Sequence, residues 1–276
     1  MKIAILTDSS FDGKLSEVKD LFKVPLMITR DSGEQIKDDE KLSYEDFYKM
    51  LEVEKLKTSQ TIPEEMLKSW DNLLKDYDQV IVALLSKGLS GQFNTATMLA
   101  NDEPYKGKIV VVDTNGVSVV LDRIIDKIRM FIDQGKDAFE IKEIIENEVN
   151  KNFRGFIIPK NLEVLKRGGR IKPAAAALAK LLKITPILRY DGEIDKFNTT
   201  RTFKKAIKES IEQIKKECPN ADTIDISYSK SDELLIQQVR GLVEESGMKI
   251  GKFNQLSNVI ATHTGTETFA LMCWLS

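Results

Sequence analysis

The stretch that most constrains this chain runs through Gln79, Val80, Ile81, Val82, Ala83, Leu84 and Leu85, then breaks into Ser86, Lys87, Gly88, Leu89, Ser90, Gly91 and Gln92. An unbroken apolar run without alternation suits a strand covered on both faces, as in a parallel α/β sheet. Gly88 and Gly91 permit a sharp turn at its carboxyl end, where ligands of open α/β sheets bind. A helix opening near Gly91 would direct unpaired N–H groups and the positive end of its dipole outward, with the Ser90 hydroxyl beside them. That combination suits an anion, either carboxylate or phosphate. The same residues also fit a plainer role, in which Ser86 or Ser90 caps the helix and the glycines only turn the chain.

Other strand ends repeat the pattern. A short apolar run, residues 3–6, ends in Thr7, Asp8, Ser9 and Ser10, which fit helix capping as well as a site loop. Lys57, Thr58, Ser59 and Gln60 precede Thr61 and Pro63, placing hydroxyls before a helix that the proline can begin. Thr61 or Ser59 could simply cap it. Residues 107–112 read as a buried strand ending in Asp113, Thr114, Asn115 and Gly116. Capping alone does not predict so few large or charged residues at equivalent topological places, so a shared site is favoured.

The remaining elements divide the chain. Residues 24–29 read as a strand, 31–34 as a turn, and 43–51 as a helix with Phe47, Met50 and Leu51 on one face. Residues 121–134 and 138–150 have helical periodicity, with Gly135 as a stop between them. A strand at 153–158 begins a second unit, which places the domains at 1–152 and 153–276. Residues 161–166 are helical, 173–183 form an alanine-rich helix, and 185–190 with 193–197 form a hairpin across Asp191 and Gly192. A helix at 202–217, a strand at 223–228, a helix at 231–246 and a strand at 249–256 follow. The predicted class is α/β with two domains, the first a mostly parallel sheet flanked by helices, the second carrying antiparallel strands.

Length and charge narrow the function. A chain of 276 residues accommodates two domains of about 100 to 150 residues each. With 41 Lys and Arg against 43 Asp and Glu, the net charge of -2 gives no basic field to gather nucleic acid. Cys218 and Cys273 lack CxxC spacing and a nearby histidine, so they are expected as reduced thiols and no metal is called for. The opening apolar run is too short for a signal-peptide core, and no segment approaches the roughly 20 apolar residues of a membrane span. A cytoplasmic protein is expected.

The common enzyme signatures are missing. No G-x-G-x-x-G, G-x-x-x-x-G-K-[ST] or H-E-x-x-H occurs. Ser90 invites an alternative as the nucleophile of an acyl hydrolase or transferase, but Gln92 stands where a nucleophile elbow has its last glycine, and His263 is the only histidine available as base. Lys166, Arg167 and Arg170 around Gly168 and Gly169 fit either a solvated helix end or a cationic clamp for phosphate.

Taken in order, Thr7 to Ser10, Thr58 to Gln60, Ser86 to Gly91, Asp113 and Thr114 with Ser118, residues 162–171 ending in Arg167, Gly168, Gly169, Arg170 and Ile171, Pro186 to Leu188 with Gly192, and His263, Thr264 and Gly265 resemble the DegV family. These bacterial proteins bind fatty acids and include the fatty-acid-binding subunit of fatty acid kinase. The resemblance covers essentially the whole chain. It implies two α/β domains with a long-chain fatty acid between them, the carboxylate held by hydroxyls matching Thr58, Ser59 and Ser90. Gly91 and Gln92 would add backbone donors, and Arg170, His263 and Thr264 would line the head-group side. It further implies a carrier that is not itself an enzyme and that takes no cofactor beyond the bound lipid. A separate ATP-using kinase subunit would convert the carboxylate to an acyl phosphate, and transient membrane contact is compatible with this role. Two departures bear on the site: the family's Thr-Ser-Gln-Pro becomes Thr58, Ser59, Gln60 and Thr61 here, and a Pro-Gly pair after Gly265 is replaced by Thr266 and Glu267.

Overall fold

The computed structural model describes residues 1–181 and 183–275. Two compact units emerge from the contacts: residues 1–151 with 257–262, and residues 152–256 with 263–276.

The first unit is built on four parallel strands, β1 (Ile3–Asp8), β2 (Leu21–Val24), β6 (Gln79–Ala83) and β7 (Ile109–Val112), in the order β2-β1-β6-β7. Every residue of β1, β6 and β7 is buried, as expected for strands covered on both faces. A second, antiparallel sheet has the order β4-β3-β5, from β3 (Met27–Thr29), β4 (Gln35–Lys37) and β5 (Lys57–Ser59). The strand expected at 24–29 is thus two strands in two sheets. Pro25 lies between them, where a residue without an amide donor does no harm to either ladder.

Five helices belong to this unit: α1 (Tyr44–Val53), α2 (Pro63–Leu73), α3 (Gln92–Ala100), α4 (Val119–Asp133) and α5 (Ala138–Ile144). Ser43 caps α1 and Pro63 opens α2. The helix expected at 138–150 is α-helical only to Ile144 and widens into a looser turn over Ile145–Val149. Trp70, Met66 and Leu73 of α2 and Ala96 and Ala100 of α3 pack on Ala4, Leu6, Val80 and Val82, with Trp70 edge-on to Tyr105 at 5.2 Å.

The second unit has a six-stranded sheet, β10-β9-β8-β13-β11-β12, made from β8 (Phe153–Pro159), β9 (Thr185–Tyr190), β10 (Ile194–Thr200), β11 (Thr223–Tyr228), β12 (Lys249–Gln255) and β13 (Thr268–Trp274). Of its strand pairings, β11–β12 is parallel and the others are antiparallel. Helices α6 (Leu162–Gly168), α7 (Pro173–Ala176), α8 (Phe203–Glu217) and α9 (Glu233–Glu245) accompany it. Ile207, Ile211 and Ile214 of α8 and Val239, Leu242 and Val243 of α9 bury against Phe156, Ile226, Phe269 and Leu271. Helix α10 (Asn258–Thr264) starts among residues of the first unit and ends in His263 and Thr264 of the second.

Two further expectations need correction, and the tail holds a strand that the sequence reading does not name. The alanine-rich helix at 173–183 is α-helical only to Ala176 and continues as a tighter turn over Ala177–Lys180; Leu182 lies outside the described residues. Only Ala175 is buried in α7, so propensity there lacks the packing that sustains a longer helix. The hairpin turn spans Asp191, Gly192 and Glu193, with Asp191 N–H donating to Glu193 C=O, so it holds three residues and not two. The tail also contains β13, a central strand flanked by β8 and β11. Among the described residues no helix is long and apolar enough to cross a membrane.

Candidate functional site

In the four-stranded sheet the chain leaves β1 toward β2 and leaves β6 toward β7, in opposite directions. This is a topological switch point, and ligands of open α/β sheets bind outside the carboxyl ends of the strands at such a place, here β1 and β6. The loops at that place are Ser9 to Asp12 and Leu84 to Gly91, and sequence singles out Ser9 and Ser10 of the first and Ser86 to Gly91 of the second.

Asp8 closes β1 and is fully buried. One of its oxygens, Oδ1, accepts from Ser10 N–H at 2.9 Å and Ser10 Oγ–H at 2.5 Å. The other, Oδ2, accepts from Leu85 N–H at 2.9 Å and Gln92 Nε2 at 2.8 Å. Burial raises its pKa, and the bonds from Ser10, Leu85 and Gln92 pull it only part of the way back. Gln92 in turn accepts from Thr61 N–H through Oε1 at 2.6 Å, while Thr61 Oγ1 donates to Pro25 C=O at 2.8 Å. Through these bonds the Thr58 and Ser59 strand end and the Ser90 loop share one anchor.

The Ser90 loop is a compact turn. Leu89 and Ser90 N–H both donate to Ser86 C=O, at 3.0 and 3.1 Å, and Gly88 N–H donates to Ser86 Oγ at 3.2 Å. Ser86 N–H donates to Gly116 C=O at 2.8 Å, which ties this turn to the end of β7. Gly91 caps α3 with φ -73°, a conformation open to any residue, and a Cβ there would meet nothing within 4 Å. The fold does not require glycine at 91; its effect is to leave the first turn of α3 uncovered. Gln92 N–H donates to Ser90 Oγ at 3.2 Å, so this backbone donor is engaged locally. Thr58 lies opposite Ile28 in the β3–β5 ladder and is half-buried, whereas Ser59, opposite Met27, is exposed.

In the second unit, α6 ends at Gly168 with Gly169 left-handed at φ 70°. A Cβ on Gly168 would come within 2.8 Å of His263 Nδ1, so the His263 ring sits where a side chain at 168 would stand. Burial, and secondarily the Arg170 charge, lowers the His263 pKa to about 4 despite an opposing hydrogen bond with the Gly168 backbone, and the imidazole is neutral at pH 7. Arg170 is exposed and its Nη1 donates to Gly168 C=O at 2.6 Å. Thr264 is buried, with its hydroxyl on Gly265 C=O at 3.2 Å and its carbonyl accepting from Thr268 Oγ1 at 3.0 Å. Glu267, one of the sequence departures, is bonded to Lys160 at 2.5 Å.

Sequence reasoning chooses Gln92 for its backbone and reads Asp8 as a cap; their side chains prove to be the bridge between loops. Asp12 and Asp38 escape it altogether. Asp12 Oδ1 accepts from Ser257 N–H at 2.8 Å and Asp38 Oδ2 from Val259 N–H at 3.0 Å, so two carboxylates grip the start of α10. Burial first of all pushes Asp12 up to about 7 and Asp38 to about 6. Aspartates beside serines in loops look alike in sequence whether they cap locally or reach a distant amide.

A family model for uncharacterised proteins of the DegV family matches residues 2–275. A DegV domain-containing protein of Streptococcus pneumoniae is 30% identical over 283 residues, 98% of either chain. A fatty acid-binding protein of Thermotoga maritima is 28% identical over 278 residues, 97% of this chain and 96% of that one. Among solved structures, a fatty-acid-binding DegV family protein from Thermus thermophilus aligns with TM-score 0.87 at 27% identity over 100% of both chains. Another, from Streptococcus agalactiae, gives TM-score 0.87 at 26% identity over 100% of this chain and 99% of that one.

Proposed function

This chain belongs to the DegV family, and on that premise we propose that it binds a long-chain fatty acid and presents the carboxylate to a separate ATP-dependent kinase. The observation that carries the reading is the switch point of the first unit, where the segment following Thr58 and Ser59 and the Ser90 loop hang from one buried anchor. Ser90 Oγ already accepts from Gln92 N–H, which leaves its own proton to be donated to a carboxylate oxygen. Several such donors are needed, because a carboxylate taken out of water is costly unless its oxygens are bonded. For the second unit the reading assigns Arg170, neutral His263 and Thr264 to the polar end of the ligand.

The tail of the lipid supplies affinity. At ~0.8 kcal/mol per buried methylene, a chain of roughly 14 contributes on the order of 11 kcal/mol before association costs. ATP would have to come with another polypeptide, since the sequence has no phosphate-binding glycine motif. Such a carrier works in the cytoplasm and touches a bilayer only transiently, during loading.

Denaturing extraction of the purified protein followed by mass spectrometry tests the first half, with a stoichiometric long-chain fatty acid expected. Addition of ATP and a DegV-partner kinase should then yield acyl phosphate from the bound lipid. Absence of any copurified or exchangeable fatty acid would sink the reading.

A further inference from the structure

We propose that Asp8 and Gln92 form a positioning lock that fixes the Thr58–Thr61 segment against the Ser90 loop and so sets the preference for a carboxylate head group. The ligand part of this inference rests on the fatty-acid reading above; the lock itself does not.

Gln92 is 1% exposed and its amide has one workable orientation. Nε2 faces Asp8 Oδ2 at 2.8 Å and Oε1 faces Thr61 N–H at 2.6 Å. Turning the amide over would set its oxygen against a carboxylate and its NH2 against another N–H, two repulsive contacts in place of two bonds. Asp8 is equally committed, because its two oxygens take four donors, from Ser10 N, Ser10 Oγ, Leu85 N and Gln92 Nε2. Residues 8, 61 and 85 with 92 come from three separate stretches of the chain, and the pair of side chains joins Thr61 to the end of β1. Ser9 Oγ, which accepts from Leu26 N–H at 3.0 Å, and the Thr61 hydroxyl on Pro25 C=O hold the far side of the same segment. Both Asp8 and Gln92 are buried, so they act on a ligand through the residues they place.

This chemistry supplies its own test. In Gln92→Glu the protonated carboxyl reproduces both bonds, its O–H pointing to Asp8 and its carbonyl accepting from Thr61 N–H. Ionised, the same side chain sets two carboxylates face to face, which disfavours the bridge. The variant should therefore be locked in acid and unlocked in base, while the wild type keeps its neutral amide throughout.

Two readouts are compared at about pH 5.5 and about pH 8, with the wild type measured alongside at each pH to normalise the titration of the ligand. Amide hydrogen exchange without ligand should show Thr61 and Leu85 of Gln92→Glu protected as in the wild type near the lower pH, and exchanging at least about tenfold faster near the higher one. Binding of palmitate and of methyl palmitate should show the preference for the acid falling about tenfold on going to the higher pH, with the ester unchanged. Should the variant unfold near pH 8, Gln92→Met, which removes both bonds and adds no charge, carries the same comparison at one pH. Wild-type-like exchange at Thr61 in the unlocked variants would overturn the lock. Equal weakening of palmitate and its ester would overturn its role in head-group preference and leave a purely structural bridge. A wild type that binds neither lipid would instead remove the fatty-acid reading, with the exchange data still deciding the lock.

Discussion

Carboxylates are held by opposite means in the loops of the first unit and beside the sheet of the second. In the first, Asp8, Asp12 and Asp38 are met mainly by amides and hydroxyls, and burial leaves all three pKa values raised. In the second, Glu217 is met by Arg189 at 3.1 and 2.7 Å, Arg154 at 3.2 Å and Gln213 at 2.6 Å, with Arg189 stacked over Phe156 at 4.9 Å. Burial alone would push Glu217 up, yet the bonds and charges of Arg189, Gln213 and Arg154 outweigh it and hold the carboxyl below its ordinary value. Neutral donors give direction without cancelling charge, so the first unit keeps directional but electrostatically costly carboxylates. Cations cancel charge, and the second unit gains a rivet between the end of α8 and strands β8 and β9.

The largest expected effect comes from removing the hub of the first set. Asp8→Ala leaves Leu85 N–H, Ser10 N–H and Gln92 Nε2 without an acceptor in a buried place. At ~1–3 kcal/mol per orphaned group, a loss of at least about 3 kcal/mol is expected in urea denaturation, and a loss under ~1 kcal/mol would show that water replaces the carboxylate at these donors. Asp12 gives the next effect. Its folded pKa, about 7, exceeds the ordinary 3.8, so the folded state binds more protons across that window and stability falls as pH rises through it. Asp12→Asn should flatten the thermal-stability profile between those values by up to about 4 kcal/mol; an unchanged slope would mean that Asp12 titrates normally.

How far these differences can be read in the sequence follows the same division. The parallel sheet is legible because residues 79–85 and their equivalents do not alternate, and both faces of β1, β6 and β7 are indeed buried. The loops at its edge are legible as a group of small polar residues. The use of Asp8 is not, since its acceptor role spans 77 residues to Leu85 and 84 to Gln92, and only tertiary topology brings them together. In the second unit the tail carries the same signal as the first sheet: Phe269, Ala270, Leu271, Met272 and Cys273 are all buried. The histidine motif just before it draws attention to chemistry instead of periodicity, and the strand goes unread. At 173–183 the opposite error arises, where alanine content suggests a helix that has little to pack against.

The smallest effect is expected at Glu217 and carries the comparison furthest. Its side chain is 18% exposed, and those of Arg189 and Arg154 are 27% and 33% exposed, so water screens the attraction and discounts each pair. The neutral amide of the Glu217→Gln variant would still accept one guanidinium bond, and a loss of about 1 kcal/mol near neutral pH is expected. Because the folded pKa is depressed below 4.5, this contribution is present above that value and disappears as pH falls through the lowered one. The wild-type and variant stability curves should therefore meet in acid and diverge toward neutrality, and molar salt should narrow the gap. Asp12→Asn should do the reverse, with its stabilising effect growing toward neutral pH. If both variants shifted the curves in the same sense, the distinction between carboxylates held by dipoles and one held by cations would fail.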